Sequence, residues 1–180
     1  MPRLFTGLEV PPEIAEQLAL FRGGLPGARW VEAPDQHVTL RFFGDIDNPT
    51  ANDVHAMLEE MRPRAPIPVA LDALASFGGD KPRALYAAIA PNMALMDLQA
   101  EHERIARRAG IEPETRKFAP HVTLARLRAT APEAVARYMT QTGVFSRISF
   151  TAERVALFSA RASRGGGPYI VETTYPLSAI

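Results

Sequence analysis

The tetrapeptide His37-Val38-Thr39-Leu40 recurs letter for letter as His121-Val122-Thr123-Leu124, beginning 84 residues later, and the two copies hold two of the four histidines in the chain. Each copy lies in a run of strand-forming residues. His37 to Phe43 ends at Gly44, and His121 to Leu127 follows Pro120. Successive side chains on a strand point to opposite faces, so His37 and Thr39 share one face while Val38 and Leu40 share the other. The second copy divides the same way. The apolar pair anchors each strand in a core, and an imidazole and a hydroxyl face a cleft. A strand duplicated for packing alone has to keep Val and Leu, but has no need to keep His and Thr.

The elements around the motifs predict an internal repeat. Leu4 to Val10 reads as a strand stopped by Pro11-Pro12, and Ile14, Leu18 and Phe21 then recur at helical spacing. Ala28 to Val31 is a short extended piece. After the first motif, Thr50 to Met61 reads as a helix, and Ile67, Val69 and Leu71 alternate as a strand. Phe77-Gly78-Gly79-Asp80 supplies a turn into a partner strand, Arg83 to Ile89, on which Tyr86 faces away from Leu85, Ala87 and Ile89. Asn92 to Ala109 is the longest helical pattern, and His102 falls on its apolar stripe as a semi-buried, hydrogen-bonded residue. Past the second motif, Thr130-Ala131-Pro132-Glu133 matches a capping box with Thr130 as N-cap, opening a helix to about Gln141. Strands follow at Ile148 to Phe150, Arg154 to Ala160 and Tyr169 to Thr173, the last two joined by the turn Ser163 to Pro168. A helix and then strands thus follow each motif strand. A duplicated α+β unit related by an approximate two-fold axis would bring the motif strands side by side.

Two imidazoles in one cleft suit a reaction that needs a base and an acid together, because the ordinary histidine pKa lies near neutrality. In-line displacement at phosphorus has this requirement. The attacking oxygen loses a proton on one side while the leaving oxygen gains one on the other, and two threonine hydroxyls can donate to the non-bridging oxygens. No step needs a metal, a cofactor or a covalent intermediate. Use of the histidines as metal ligands is disfavoured because no acidic residue shares a strand face with either motif; Asp35 and Asp45 flank the first from loops. A non-catalytic module that binds nucleotides or RNA ends is the alternative from a different class.

The paired His-x-Thr-x motifs, with Arg3-Leu4-Phe5, Leu25 to Val31, His37 to Gly44 and Pro120 to Arg126, resemble the two-histidine phosphoesterases. Within that superfamily they are similar to the RNA 2′,3′-cyclic phosphodiesterases, also called 2′-5′ RNA ligases. The resemblance covers essentially the whole chain. It implies one bilobal α+β domain over residues 1–180, with antiparallel sheets lining a central cleft and helices outside. It also implies hydrolysis of a terminal 2′,3′-cyclic phosphate to a 2′-phosphomonoester, with His37 as general acid, His121 as general base, and Thr39 and Thr123 holding the phosphate. Ligation to 2′-5′ linkages by the same residues is the reverse direction. The resemblance favours Arg126 as a phosphate contact, although simple alternation puts Arg41 on the cleft face and Arg126 on the opposite one unless a bulge intervenes. Phe5, Phe118 and Tyr169 are candidates to stack a terminal base.

Composition sets limits on this reading. The 180 residues are 47% hydrophobic and 22% charged, as in an ordinary globular protein. There is no cysteine, hence no disulfide framework and no thiol nucleophile. No apolar run reaches the length of a membrane span, and a cytoplasmic protein is expected. The formal net charge of zero argues against a generic nucleic-acid coat. Eighteen of the 20 cations are Arg, and residues 101–180 hold 12 basic against 7 acidic side chains, which suits an anionic substrate such as an RNA end or a nucleoside 2′,3′-cyclic phosphate. An internal pseudo-dimer lessens the need for a second copy, so a monomer with no obligate protein partner is expected.

Overall fold

The computed structural model describes residues 2–160 and 167–178, so Ser163 to Gly166 of the expected turn lie outside the described residues. The strands are β1 (Arg3–Glu9), β2 (Ala28–Trp30), β3 (His37–Asp45), β4 (Ile67–Phe77), β5 (Ala84–Ile89), β6 (His121–Leu127), β7 (Ile148–Ala152), β8 (Arg154–Ala160) and β9 (Tyr169–Pro176). The helices are α1 (Pro12–Leu18), α2 (Asn48–Glu59), α3 (Met93–Arg108) and α4 (Pro132–Thr142). None of them is long and apolar enough to cross a membrane.

The strands form one sheet in the order β7-β4-β5-β6-β3-β1-β8-β9, every pairing antiparallel, with β2 added to β6. Its symmetry is visible in that order. Four strands lie on each side of the β6–β3 seam, and the motif strands are the innermost of each half. The seam is narrow, because β3 and β6 register through the single pair Val38 and Val122. Beyond it the strands diverge, and the outer part of β6 pairs instead with β2. The expected α+β architecture is thus one sheet folded about a short seam.

Alternation explains the core. Val38, Leu40, Val122 and Leu124 are buried with the apolar stripes of all four helices, including Ile14, Val54, Leu95, Leu98 and Val135. The opposite face, carrying the histidines, has a small cluster of its own in one half, made of Phe5, Ala156 and Phe158 with Tyr169 against it.

Both motif strands are bulged at the same place. Gly7 pairs with Thr39 and Thr6 with Arg41, leaving Leu40 as the extra residue; on β6, Tyr86 pairs with Thr123 and Leu85 with Ala125, leaving Leu124 extra. Each bulge puts two successive residues into the core face and returns the next to the cleft face. Arg41 and Ala125 are therefore buried, while Phe42 and Arg126 are exposed on the cleft side. This corrects the alternation-based placement of Arg41 in the cleft.

Two local expectations also change. Thr130 is not an N-cap: Ala131 holds that position without a side-chain bond, and the Thr130 hydroxyl donates to the carbonyl of Pro26 at 2.8 Å. The strand read as Ile67 to Leu71 continues to Phe77, past a bulge at Asp72. Ala73 and Ala75 give too little hydrophobic contrast for the continuation to show in sequence.

At Gly7, β1 and β3 approach too closely for any side chain. A Cβ there would lie 2.6 Å from the Val38 carbonyl oxygen and 3.3 Å from the Phe158 ring. The first neighbour is backbone, so Gly7→Ala must push β3 outward. Overpacking of this kind costs about 1–3 kcal/mol. The expected result is a lowered urea midpoint together with reduced turnover, since Gly7 pairs directly with Thr39.

Candidate active site

The two histidines are oriented by the same local device. His37 Nδ1 donates to the carbonyl of Asp35 at 2.8 Å, and His121 Nδ1 donates to the carbonyl of Ala119 at 2.7 Å. A carbonyl oxygen only accepts, so Nδ1 carries the proton in each neutral ring and Nε2 is left as the basic nitrogen. Thr39 shows the first consequence, its hydroxyl donating to His37 Nε2 at 3.0 Å. Thr39 and Thr123 are half-buried beside their histidines.

Aromatic rings support both imidazoles. His37 packs against Phe5 (ring centroids 4.8 Å apart), Phe158 (5.4 Å) and the edge-on ring of Tyr169 (5.2 Å). His121 meets Phe77 at 4.9 Å and Tyr86 at 5.1 Å, both edge-on. Phe77 pairs with Ala84, which pairs with Arg126; Phe158 pairs with Phe5, which pairs with Phe42. Phe77 and Phe158 thus occupy corresponding places in the two halves. Sequence reasoning missed both. The one usable signal was the cleft-facing parity of Tyr86.

Electrostatics follow from this enclosure. Burial lowers the His37 pKa to about 4, with the positive charge of Arg126 and then His121 acting in the same direction against the favourable bond to Asp35. His121 is lowered too, by burial first and Arg126 next among the depressing causes. Arg126 therefore lies near enough to act on both rings. At neutral pH both imidazoles are uncharged, and Arg126 supplies the positive charge.

The other expected contacts separate. Arg126 and Tyr169 reach the cleft side, as does Phe42, 46% exposed and not singled out in the sequence. Phe5 is 4% exposed and forms the wall behind His37. Phe118 is partly buried against the main core. Arg41 is 6% exposed on the far face, its Nε 2.5 Å from Glu103 of α3. Among the described residues, no group of three or more His, Cys, Asp or Glu is arranged to hold a metal ion.

The antiparallel sheet thus carries two carbonyl-anchored imidazoles, each with a threonine on its strand face, in two corresponding halves. Residues 10–164 match the family described as the 2′-5′ RNA ligase superfamily, and the chain belongs to that family. An RNA 2′,3′-cyclic phosphodiesterase of Aeropyrum pernix is 30% identical over 159 residues, 87% of this chain and 88% of the relative. One from Geobacillus stearothermophilus is 30% identical over 128 residues; the match spans 68% of this chain but 41% of that longer relative. The fold matches E. coli LigT complexed with 3′-AMP, with a TM-score of 0.78 at 23% identity over 98% of this chain and 99% of the other.

Proposed function

We propose that this protein hydrolyses the terminal 2′,3′-cyclic phosphate of RNA, or of a nucleoside, to a 2′-phosphomonoester. The observation that carries the proposal is the pair of imidazoles with their Nδ1 atoms fixed on carbonyls, each with a threonine on its strand face. The names of its relatives supply the substrate class. Water attacks phosphorus and gives its proton to Nε2 of His121. The P–O3′ bond breaks as Nε2 of His37 protonates the departing oxygen. Thr39, Thr123 and Arg126 bind the non-bridging oxygens, and Tyr169 flanks the terminal nucleoside.

The lowered pKa of His37 is compatible with its role as the acid. A phosphate anion beside both rings favours the protonated form of each, so substrate binding raises the share of His37 that carries the proton it donates. The proposed proton transfers need no metal, and both histidines come from one chain, so the reading is of a monomer, taken to work in the cytoplasm.

The test is an RNA oligonucleotide ending in a 2′,3′-cyclic phosphate, incubated with the protein in EDTA, with the product isomer identified. A 2′-phosphate is expected. A 3′-phosphate, or retention of the RNA end without turnover, would overturn the proposal, the latter in favour of a binding module.

A further inference from the structure

Arg41, buried on the face opposite the chemistry, makes four hydrogen bonds. Its Nε and Nη2 donate to Glu103 at 2.5 and 3.4 Å, its Nη1 donates to the carbonyl of Phe42 at 2.5 Å, and its Nη2 donates to the carbonyl of Glu112 at 2.6 Å. Glu103 also accepts from the Glu114 backbone N–H at 2.8 Å and from Arg107 at 3.3 Å. Two backbone groups of the irregular segment between α3 and β6 are therefore tied to one part-buried ion pair. That segment carries the Ala119 carbonyl, the acceptor that sets the tautomer of His121. Its other end is tied where Ile89 N–H donates to Pro120 at 3.1 Å.

The corresponding carbonyl in the other half is held differently. The outer part of β6 pairs with β2, Val31 N–H donates to Leu124 at 2.9 Å, and Asp35 sits in a short 3₁₀ turn of Ala33–Asp35. Backbone pairing, helped by Arg22 donating to the Val31 carbonyl at 2.8 Å and by Tyr169 N–H donating to the Asp35 carboxylate at 3.1 Å, therefore holds the segment that presents the Asp35 carbonyl without Arg41. Beside β3 it is Arg41, at the bulge position matching Ala125, that ties down the neighbouring segment.

We propose that Arg41 is a positioning residue for His121: with Glu103 it clamps segment 112–114 to β3 and so holds the Ala119 carbonyl against Nδ1. The consequence is one-sided. Loss of the clamp frees the tautomer of His121 and leaves that of His37 unchanged. The effect on rate rests on the proposed proton transfer to His121, whereas the tautomer effect does not.

The experiment is nitrogen-15 NMR of both imidazoles in the wild type, in Arg41→Lys, and in the double variant Arg41→Met with Glu103→Gln, which removes both charges together. Lysine keeps the charge but loses the planar fork that bridges Glu103 and Glu112. In both variants His121 is expected to change from the Nδ1–H form to a mixture, more so in the double variant, with His37 unchanged. The value of kcat on a cyclic phosphate should fall about 10- to 100-fold in the double variant and less in Arg41→Lys, the scale of a misplaced catalytic group, with KM within about twofold. An unaltered His121 tautomer in Arg41→Lys, or equal changes at His37 and His121, would overturn the inference. Lack of turnover by the wild type would instead count against the proposed function and leave the NMR result to stand alone.

Discussion

Replacing either His37 or His121 by Ala is expected to lower kcat by about 10²–10⁴-fold, the range associated with one general acid or base. Both side chains are half-buried and reach the cleft, and neither contributes to the main core cluster, so thermal unfolding should change far less than turnover. Two substrates separate the roles. A 2′,3′-cyclic phosphate expels a ribose alkoxide that needs a proton, and there both variants are slow. A phosphodiester that expels nitrophenolate needs no acid. The variant lacking the acid should recover much of its rate on it, while the variant lacking the base should not. Recovery by His37→Ala is the expected outcome; recovery by His121→Ala would exchange the assignments. Equal and small losses in both variants would refute paired proton transfer.

Acid is expected to destabilise the fold well above the carboxylate range. The His37 pKa is lowered to about 4 and that of His102 to about 3, burial being the first cause of each. His102 is fully buried, with its Nδ1 2.7 Å from the Thr6 hydroxyl and no hydrogen-bond partner on Nε2 among the described residues. In the unfolded chain both rings take up protons as pH falls through the ordinary value of 6.5. In the folded protein they resist protonation to about 4 and 3. The unfolded state thus binds more protons in this window, and stability, fully present above 6.5, falls as the pH is lowered. Each such group contributes a limiting slope of about 1 kcal/mol or a little more per pH unit, so the pair approaches about 3 kcal/mol per unit below pH 5.5. Urea titrations between pH 7 and pH 5 measure it before carboxylates intervene. A double variant, His102→Leu with Thr6→Val, removes one titrating ring together with the hydroxyl that it would leave unpaired. It should lower that slope by about a third to a half, because His37 and, to a smaller extent, His121 remain as titrating groups. An unchanged slope would show that His102 is not the source.

The motifs made much of this site legible in advance. His37, Thr39, His121 and Thr123 share the cleft face because a period of two is a local property of any extended strand. The inward place of His102 was legible from the helical period, on the stripe with Leu95, Leu98 and Ile105, although the residue is fully rather than half buried. Arg41 was misplaced because its direction depends on a bulge, and a bulge is set by how β1 and β5 register against the motif strands. No local pattern in His37 to Phe43 records that register. Thr130 was misread in a similar way, since its hydroxyl donates to the carbonyl of Pro26, far away in the chain, and the helix starts one residue later.

By itself the sequence determined the proposed reacting groups, their common faces, the alternation of strands with helices, and the repeat of the motif strand. These depend on residue type and spacing within a few positions. The tertiary structure decided what lies around those groups. It put Phe77 and Phe158 against the imidazoles, turned Arg126 into the cleft and Arg41 out of it, and tied the Glu112 carbonyl and the Glu114 N–H to a part-buried ion pair on the opposite face. Each of these joins residues far apart in the chain, and their energies come from burial and hydrogen bonds that exist only after the sheet has closed.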